Sequence, residues 1–285
     1  MRIVIISGKG GVGKSMLTSS LALLFSKNKK KIVAVDCDVD APNLGLWLGI
    51  TKYNTVKNIS TSKRAEITNQ KLLDDKVLKV CNFGAISKEG KNYKINPFLC
   101  EGCGACGIVY PQAIKLKPIE NGQIKIARTK YNFPLIVGQL YPGETGSGKI
   151  VSEIKEEAEK FKHDLMLIDS APGTGCPVIA ALRDSDFVVL VTEPTPSAFS
   201  DLKRVLKVVN HFKVPYKTII NKWDINKKMS NKIEKWAGNK FLGKISYDQE
   251  IFRAISNLTP IMETNLKAKQ EIIQIYNKLV LDIQQ

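Results

Sequence analysis

The chain has 285 residues, 44% of them hydrophobic, and a formal net charge of +16 at pH 7. That length allows one large α/β domain with an ample core plus a small extra lobe, and no apolar run approaches the roughly eighteen residues needed to span a bilayer. The charge invites an anionic partner, yet the lysines are scattered rather than gathered in a basic stripe, which argues for general surface charge and against a dedicated nucleic-acid site. The first strand pattern follows Met1 directly, leaving no room for a signal peptide, so a cytoplasmic protein is expected. The six cysteines are clustered rather than spread as paired staples, which in a reducing compartment favours metal over disulfides.

The apolar run Ile3-Val4-Ile5-Ile6 predicts a buried strand. It feeds Ser7-Gly8-Lys9-Gly10-Gly11-Val12-Gly13-Lys14-Ser15, after which Leu17, Leu21, Leu24 and Phe25 recur at helical spacing. Gly8, Gly13, Lys14 and Ser15 fill the fixed positions of G-x-x-x-x-G-K-[ST], in the strand, loop and helix order that this phosphate-binding motif requires. The glycines let the loop curl until its backbone N–H groups, from Gly8 through Ser15, point inward at phosphate oxygens, and the helix adds its positive dipole end. Lys14 is expected to reach the β/γ-phosphates, and the Ser15 hydroxyl to ligate Mg²⁺.

Lys9 is a second lysine within the loop. The string K-G-G-V-G-K-S resembles the deviant Walker A of the MinD/ParA/Mrp and nitrogenase iron-protein superfamily. The resemblance implies ATP as the nucleotide. It also implies a dimer, of this chain with itself or with a paralogous ATPase, in which Lys9 joins Lys14 as a catalytic residue by reaching the partner's nucleotide. A local reading, in which Lys9 only adds charge to its own anion site, stays open.

A second buried strand, Ile32-Val33-Ala34-Val35, runs into Asp36-Cys37-Asp38-Val39-Asp40. Acids at the carboxyl end of a parallel strand beside a phosphate loop stand where Mg²⁺ and the attacking water belong. The stretch resembles switch I of the MinD-like ATPases, which implies that Asp38 positions or activates the water while Asp36 lies near the metal. Asp40 reads as the N-cap of a short helix over residues 44–48.

From about Thr51 the α/β rhythm stops. Residues 51–128 are too long for a structureless loop, so residues 1–50 and 129–285 are expected to form the ATPase domain, with 51–128 an inserted lobe. The lobe carries Cys100-Glu101-Gly102-Cys103-Gly104-Ala105-Cys106. This C-x2-C-x2-C run wraps three thiolates around one face of an iron–sulfur cube, and its small residues leave N–H groups free to donate to sulfur. In bacterial ferredoxins a further cysteine, belonging to a second cluster, precedes a proline three residues on; here Tyr110 precedes Pro111. Cys81-Asn82-Phe83-Gly84-Ala85-Ile86 resembles the tail of a first ferredoxin motif whose three leading cysteines are absent. That resemblance implies one [4Fe–4S] cluster held by Cys81, Cys100, Cys103 and Cys106, the other having lost all of its ligands. A Cys₄ zinc site and a lobe without metal remain open.

Beyond Asn132, Leu135 to Leu140 predicts a strand, followed by Gly143-Glu144-Thr145-Gly146-Ser147-Gly148-Lys149 and a helix over 150–161. This second glycine run has Ile150 where the metal-binding hydroxyl should be, so one nucleotide site per subunit is expected, with the loop facing a dimer mate or partner. Leu165-Met166-Leu167-Ile168-Asp169 is a buried strand ending in the acid of a Walker B segment, Asp169 holding a magnesium-bound water. Ser170 to Pro177 resembles switch II, and Cys176 reads as a thiol at a helix start. Asn221-Lys222-Trp223-Asp224 is similar to the superfamily segment whose asparagine recognises adenine, which assigns Asn221 to the base. Gly243 to Asp248 resembles the family's G-x-I-P-Y-D strand end with Ser246 in place of proline, which is expected to loosen that loop. The last helix is too poor in basic residues to target a membrane.

The fold implied is an α/β P-loop NTPase with a mainly parallel sheet flanked by helices, plus a small ferredoxin-like α+β lobe. The function implied is an Mg-dependent ATPase acting in ATP-gated electron transfer or metallocofactor maturation with a redox or metallocofactor partner protein. A regulatory or spatial switch with a structural lobe, and a Mrp-like iron–sulfur carrier, are the alternatives.

Overall fold

The computed structural model describes residues 1–284. The strands are β1 (Arg2–Ile6), β2 (Ile32–Cys37), β3 (Thr55–Ile59), β4 (Ser62–Ile67), β5 (Ile86–Glu89), β6 (Asn92–Ile95), β7 (Ile114–Ile119), β8 (Gly122–Arg128), β9 (Pro134–Leu140), β10 (Leu165–Ser170), β11 (Phe187–Thr192), β12 (Tyr216–Asn221) and β13 (Phe241–Ile245). The helices are α1 (Lys14–Lys27), α2 (Leu44–Trp47), α3 (Val77–Val80), α4 (Ala105–Val109), α5 (Ser147–Glu159), α6 (Cys176–Leu182), α7 (Pro196–His211), α8 (Lys227–Ala237), α9 (Gln249–Ser256) and α10 (Lys267–Gln284). No described helix is long and apolar enough to cross a membrane.

Two compact units form. The first comprises residues 1–56, 124–139 and 147–285, the second residues 57–123 and 140–146. The nine-stranded sheet runs β13-β12-β11-β1-β10-β2-β9-β8-β3, and neighbours from β13 through β9 are parallel. Strands covered by helices on both faces must be apolar throughout, and β2, β10 and β11 are buried along their whole length. Leu17 and Leu21 of α1, Leu135 of β9, and Ile272 and Leu279 of α10 fill the core with them; each such side chain is worth about 1.5–3 kcal/mol relative to exposure. The last helix therefore packs into the core. Parallel register carries the ends of β1, β2, β10, β11 and β12 to one edge of the sheet, the usual place for ligands in such folds.

The second unit is built otherwise. The antiparallel pairs β4–β7 and β5–β6 and the short helices α3 and α4 enclose a small core around Ala65, Val77, Ile86, Tyr93, Cys106, Ala113 and Ile114. The segment 140–146, placed with the main domain on sequence, groups here because of Asn121. That side chain is fully buried; its Nδ2 donates to the Thr145 carbonyl (2.8 Å) and its Oδ1 accepts from the Thr61 N–H (2.8 Å). The Ser62 hydroxyl also donates to Thr145 O at 2.9 Å. That carbonyl therefore accepts two hydrogen bonds inside the unit.

Candidate functional site

In the first unit the glycine loop joins β1 to α1. Gly13 is the N-cap of α1 at φ 97° and brings no capping side chain, so N–H groups of the first turn stay open to an anion. A Cβ there would stand 2.3 Å from Nδ2 of Asn221. Gly8 packs on the backbone of Asp201, 2.3 Å from where its Cβ would be. Lys14 and Ser15, 6% and 8% exposed, line a cavity of about 530 Å³ with Gly10, Gly11, Gly13, Asp38, Asp40 and Pro172. An adjoining cavity of about 360 Å³ is lined by Asn221, Lys222, Ser246, Tyr247 and Phe252, and the two share Gly11, Gly13, Met16 and Trp47. One half thus offers lysine, hydroxyl and carboxylates, and the other an apolar wall with an amide. Val12 is buried beneath the loop.

Asp169 is wholly buried. Its Oδ1 accepts from the Thr18 hydroxyl at 3.2 Å, and its Oδ2 has no partner. Burial pushes its pKa up to about 6, against the pull of the Lys14 charge and of the Thr18 hydrogen bond. A buried carboxylate oxygen without a donor is costly, and a metal-bound water beside Ser15 would relieve it, so the residues fit Mg²⁺. Asp36 lies opposite Asp169 in register but has a different task from the one expected. Its two oxygens accept from the backbone N–H groups of Asp38 (3.1 Å) and Leu44 (2.9 Å), fastening the strand end to α2. Burial, then the charge of Asp169, raises its pKa well above its ordinary value. Asp38 is half-buried; burial raises its pKa and Lys14 opposes the rise. Asp40 does not cap α2, whose N-cap is Asn43.

The Gly173 N–H donates to the Ser7 carbonyl at 2.9 Å, tying the segment after β10 to the glycine loop. Lys9 lies along its own subunit: its Nζ is 3.1 Å from Oε1 of Glu193. At the base end Asn221 is buried and donates to the Val12 carbonyl at 2.9 Å, so it braces the loop as well as lining the cavity. The Asp224 carboxylate accepts the Tyr247 N–H at 2.7 Å. Ser246 does not loosen its loop. Its N–H and hydroxyl donate to the Glu271 carboxylate at 2.7 and 2.6 Å, replacing a proline's stiffness with an anchor on α10. Glu193, Glu271 and Thr18 carry no motif of their own in the sequence, because each acts on a partner from another element.

In the second unit Cys81, Cys100, Cys103 and Cys106 line a single cavity, otherwise walled by small and apolar residues such as Ala65, Ala85, Ile86 and Ile95. The N–H of Ala65 donates to Sγ of Cys100 (3.4 Å) and that of Ala85 to Sγ of Cys81 (3.3 Å). Burial raises the Cys106 thiol pKa, with smaller contributions from Cys100 and Cys103. Gly102 is at φ 63°, and a Cβ there would meet the Lys63 carbonyl oxygen at 2.0 Å; only glycine fits this turn of the thiol loop. Tyr110 packs on the small core and its hydroxyl donates to Asp74 at 2.7 Å, a bond that pushes its pKa up to about 12. Among the described residues no three His, Cys, Asp or Glu side chains converge closely enough to hold a metal ion. Four thiols about one apolar cavity, two of them already accepting N–H bonds, nevertheless suit an iron–sulfur cluster in donor chemistry.

Cys37 is buried and its pKa raised by burial. Cys176 is exposed as the first residue of α6, and α5 starts against it, a Cβ on Gly148 standing 3.1 Å from its Cβ. Ile150 of the second glycine run is fully buried.

The family model described as CobQ/CobB/MinD/ParA nucleotide binding domain matches residues 3–261. The chain is similar to the uncharacterized protein MJ0578 of Methanocaldococcus jannaschii, 40% identical over 279 residues covering 98% of this chain and 96% of that one. It is 24% identical over 295 residues to the iron-sulfur cluster carrier protein of the same organism, covering 98% and 83%. Its fold is similar to that of the septum site-determining protein MinD complexed with Mg-ADP from Pyrococcus horikoshii, with a TM-score of 0.61, 19% identity, and 98% and 95% of the two chains covered. A glycine loop, buried acids at the ends of parallel strands and a two-part cavity between them are what a nucleotide site requires, and the chain belongs to the CobQ/CobB/MinD/ParA nucleotide-binding family.

Proposed function

We propose that this protein is an Mg-dependent ATPase whose second unit holds one [4Fe–4S] cluster on Cys81, Cys100, Cys103 and Cys106. The observation that carries the reading is the gathering of Cys81 with the three closely spaced thiols Cys100, Cys103 and Cys106 around one apolar cavity, in a chain that also carries a complete glycine loop. ATP lies with its base toward Asn221 and its phosphates in the glycine loop. Lys14 would neutralise the β/γ-phosphates, Ser15 and Asp169 would hold Mg²⁺, and Asp38 would orient the attacking water, while Asp36 keeps the Asp38 segment in place. Mg²⁺ would supply charge neutralisation at the developing phosphate oxygens. Lys9 leaves its own subunit to complete the site of a second copy or a paralogue. The bond from the Gly173 N–H to the Ser7 carbonyl links switch II to the loop that senses the γ-phosphate. The cluster would supply one-electron chemistry, and its ATP control makes the protein an electron carrier or a metallocofactor maturation factor.

A carrier reading draws on the name of the relative from M. jannaschii, but the late C-x-x-C that the Mrp-like resemblance implies for a carrier has no counterpart here, no cysteine following Cys176. Purification without oxygen, followed by iron and sulfide determination, EPR and a redox titration with and without Mg-ATP, tests the proposal. About four iron and four sulfide per chain are expected from the cube. Zinc instead of iron would sink the redox reading, and a potential indifferent to ATP would favour the regulatory switch.

A further inference from the structure

The carboxylate of Glu193 sits between two lysines that flank the glycine loop. Its Oε1 is 3.1 Å from Nζ of Lys9, its Oε2 is 3.4 Å from Nζ of Lys222, and the Lys222 ammonium also donates to the Gly11 carbonyl at 3.2 Å. Glu193 is rigidly mounted. It follows β11 directly and precedes Pro194, its carbonyl accepts the Thr195 N–H at 2.8 Å, and Thr195 in turn caps α7 by accepting the Ala198 N–H. Its side chain is 12% exposed, whereas that of Lys9 is 43% exposed. Lys222 is equally fixed, at φ 55° at the end of β12.

We infer that Glu193 is a positioning residue for Lys9, holding it against its own subunit until a second nucleotide-loaded copy offers a stronger anion. The inference rests on the reading that Lys9 acts in trans. Three features favour it. The Lys9 side chain is the more exposed member of the pair, so solvent already weakens the contact. A triphosphate carries more negative charge than one carboxylate, so the exchange runs toward the partner only when nucleotide is present. The departure also leaves no buried charge unpaired, because Glu193 keeps Lys222, which avoids the usual penalty for breaking a partly buried ion pair. Lys222 thus competes with Lys9 for one carboxylate, and the two lysines must have opposite effects on dimer closure.

Full-length protein with Mg²⁺ and a non-hydrolysable ATP analogue, examined by sedimentation over a range of protein concentrations, tests this. Glu193→Gln should release Lys9 and lower the concentration of half-dimerisation by about 2- to 30-fold, since each subunit surrenders one contact of surface-ion-pair strength. Lys222→Met, leaving Lys9 as the sole partner of Glu193, should raise it. A Glu193→Gln protein with wild-type circular dichroism that dimerises no more readily than wild type, or less readily, overturns the inference, as does a Lys222→Met protein that dimerises more readily. If the wild type itself stays monomeric with the analogue, the trans reading of Lys9 fails first and this inference falls with it.

Discussion

The glycine loop Gly8–Ser15 and the thiol loop Cys100–Cys106 are each short, glycine-bearing and followed by a helix, yet they rest on different foundations. The first is strung between a strand with no exposure at Ile3 through Ile6 and a helix whose Leu17 and Leu21 are wholly buried. The second lies on a core of seven buried residues, with strands such as β4 and β7 that bury only alternate or fewer positions. A large parallel sheet holds its ligand groups in place without the ligand. A core that small supplies little stability by itself, so the thiol unit is expected to depend on what its cysteines bind.

The contrast can be broken most forcefully at Lys14. Lys14→Ala should lower ATP turnover by about 10²–10³-fold, the usual cost of removing a cation from a phosphoryl-transfer site, while iron content stays at the wild-type value; loss of iron as well would show that the two loops are not separately founded. Next in size, Cys106→Ser, or chelation of the metal, should empty the thiol unit of iron and expose residues 57–123 to protease, with calorimetric melting of the remainder and ADP binding unchanged. Asn121→Ala strips the Thr145 carbonyl of its amide partner, a loss of about 1–3 kcal/mol. Cleavage after Glu144 by a glutamyl endopeptidase should then accelerate well before the nucleotide unit unfolds.

The smallest effect concerns the pH response of the nucleotide unit. Asp169 has a folded-state pKa of about 6 without ligand, above the ordinary value of about 3.9. A carboxyl whose pKa is raised on folding contributes stability that is full below about pH 4 and lost as pH rises through about 6. Asp169→Asn should therefore raise the melting temperature of nucleotide-free protein by a few degrees at about pH 7.5 and leave it unchanged near pH 4, while Mg-dependent turnover disappears. An equal shift at both pH values would show that folding does not raise the pKa of this carboxyl.

Much of this was legible in the order of residues. Gly8, Gly13, Lys14 and Ser15 are dictated by what a curled phosphate-binding turn demands locally, and the apolar runs of β1, β2, β10 and β11 announce strands covered on both faces. The groups that share a task across elements were not. Nothing near Glu193 names Lys9 or Lys222 as its partners, and nothing near Ser246 names Glu271, because those pairs are separated by long stretches of chain and meet only when strands take their places in the sheet. Asp36 reads as a metal-site acid from its position after β2, but the backbone N–H groups of Asp38 and Leu44 claim its oxygens once α2 folds back. The run 143–149 has phosphate-loop spacing without the metal-binding hydroxyl, and nothing in it announces that a buried amide takes the Thr145 carbonyl.

Composition and spacing alone determined that a strand, a glycine loop and a helix open this chain and that three thiols follow one another at intervals suited to a cluster, because both depend on contacts within a few residues. Tertiary structure alone decided which carboxylate faces which lysine, that Cys81 shares a cavity with Cys100, Cys103 and Cys106, and that Asp169 is left with an unpartnered oxygen. Burial and charge pairing between distant segments exist only after the sheet and the small core have assembled.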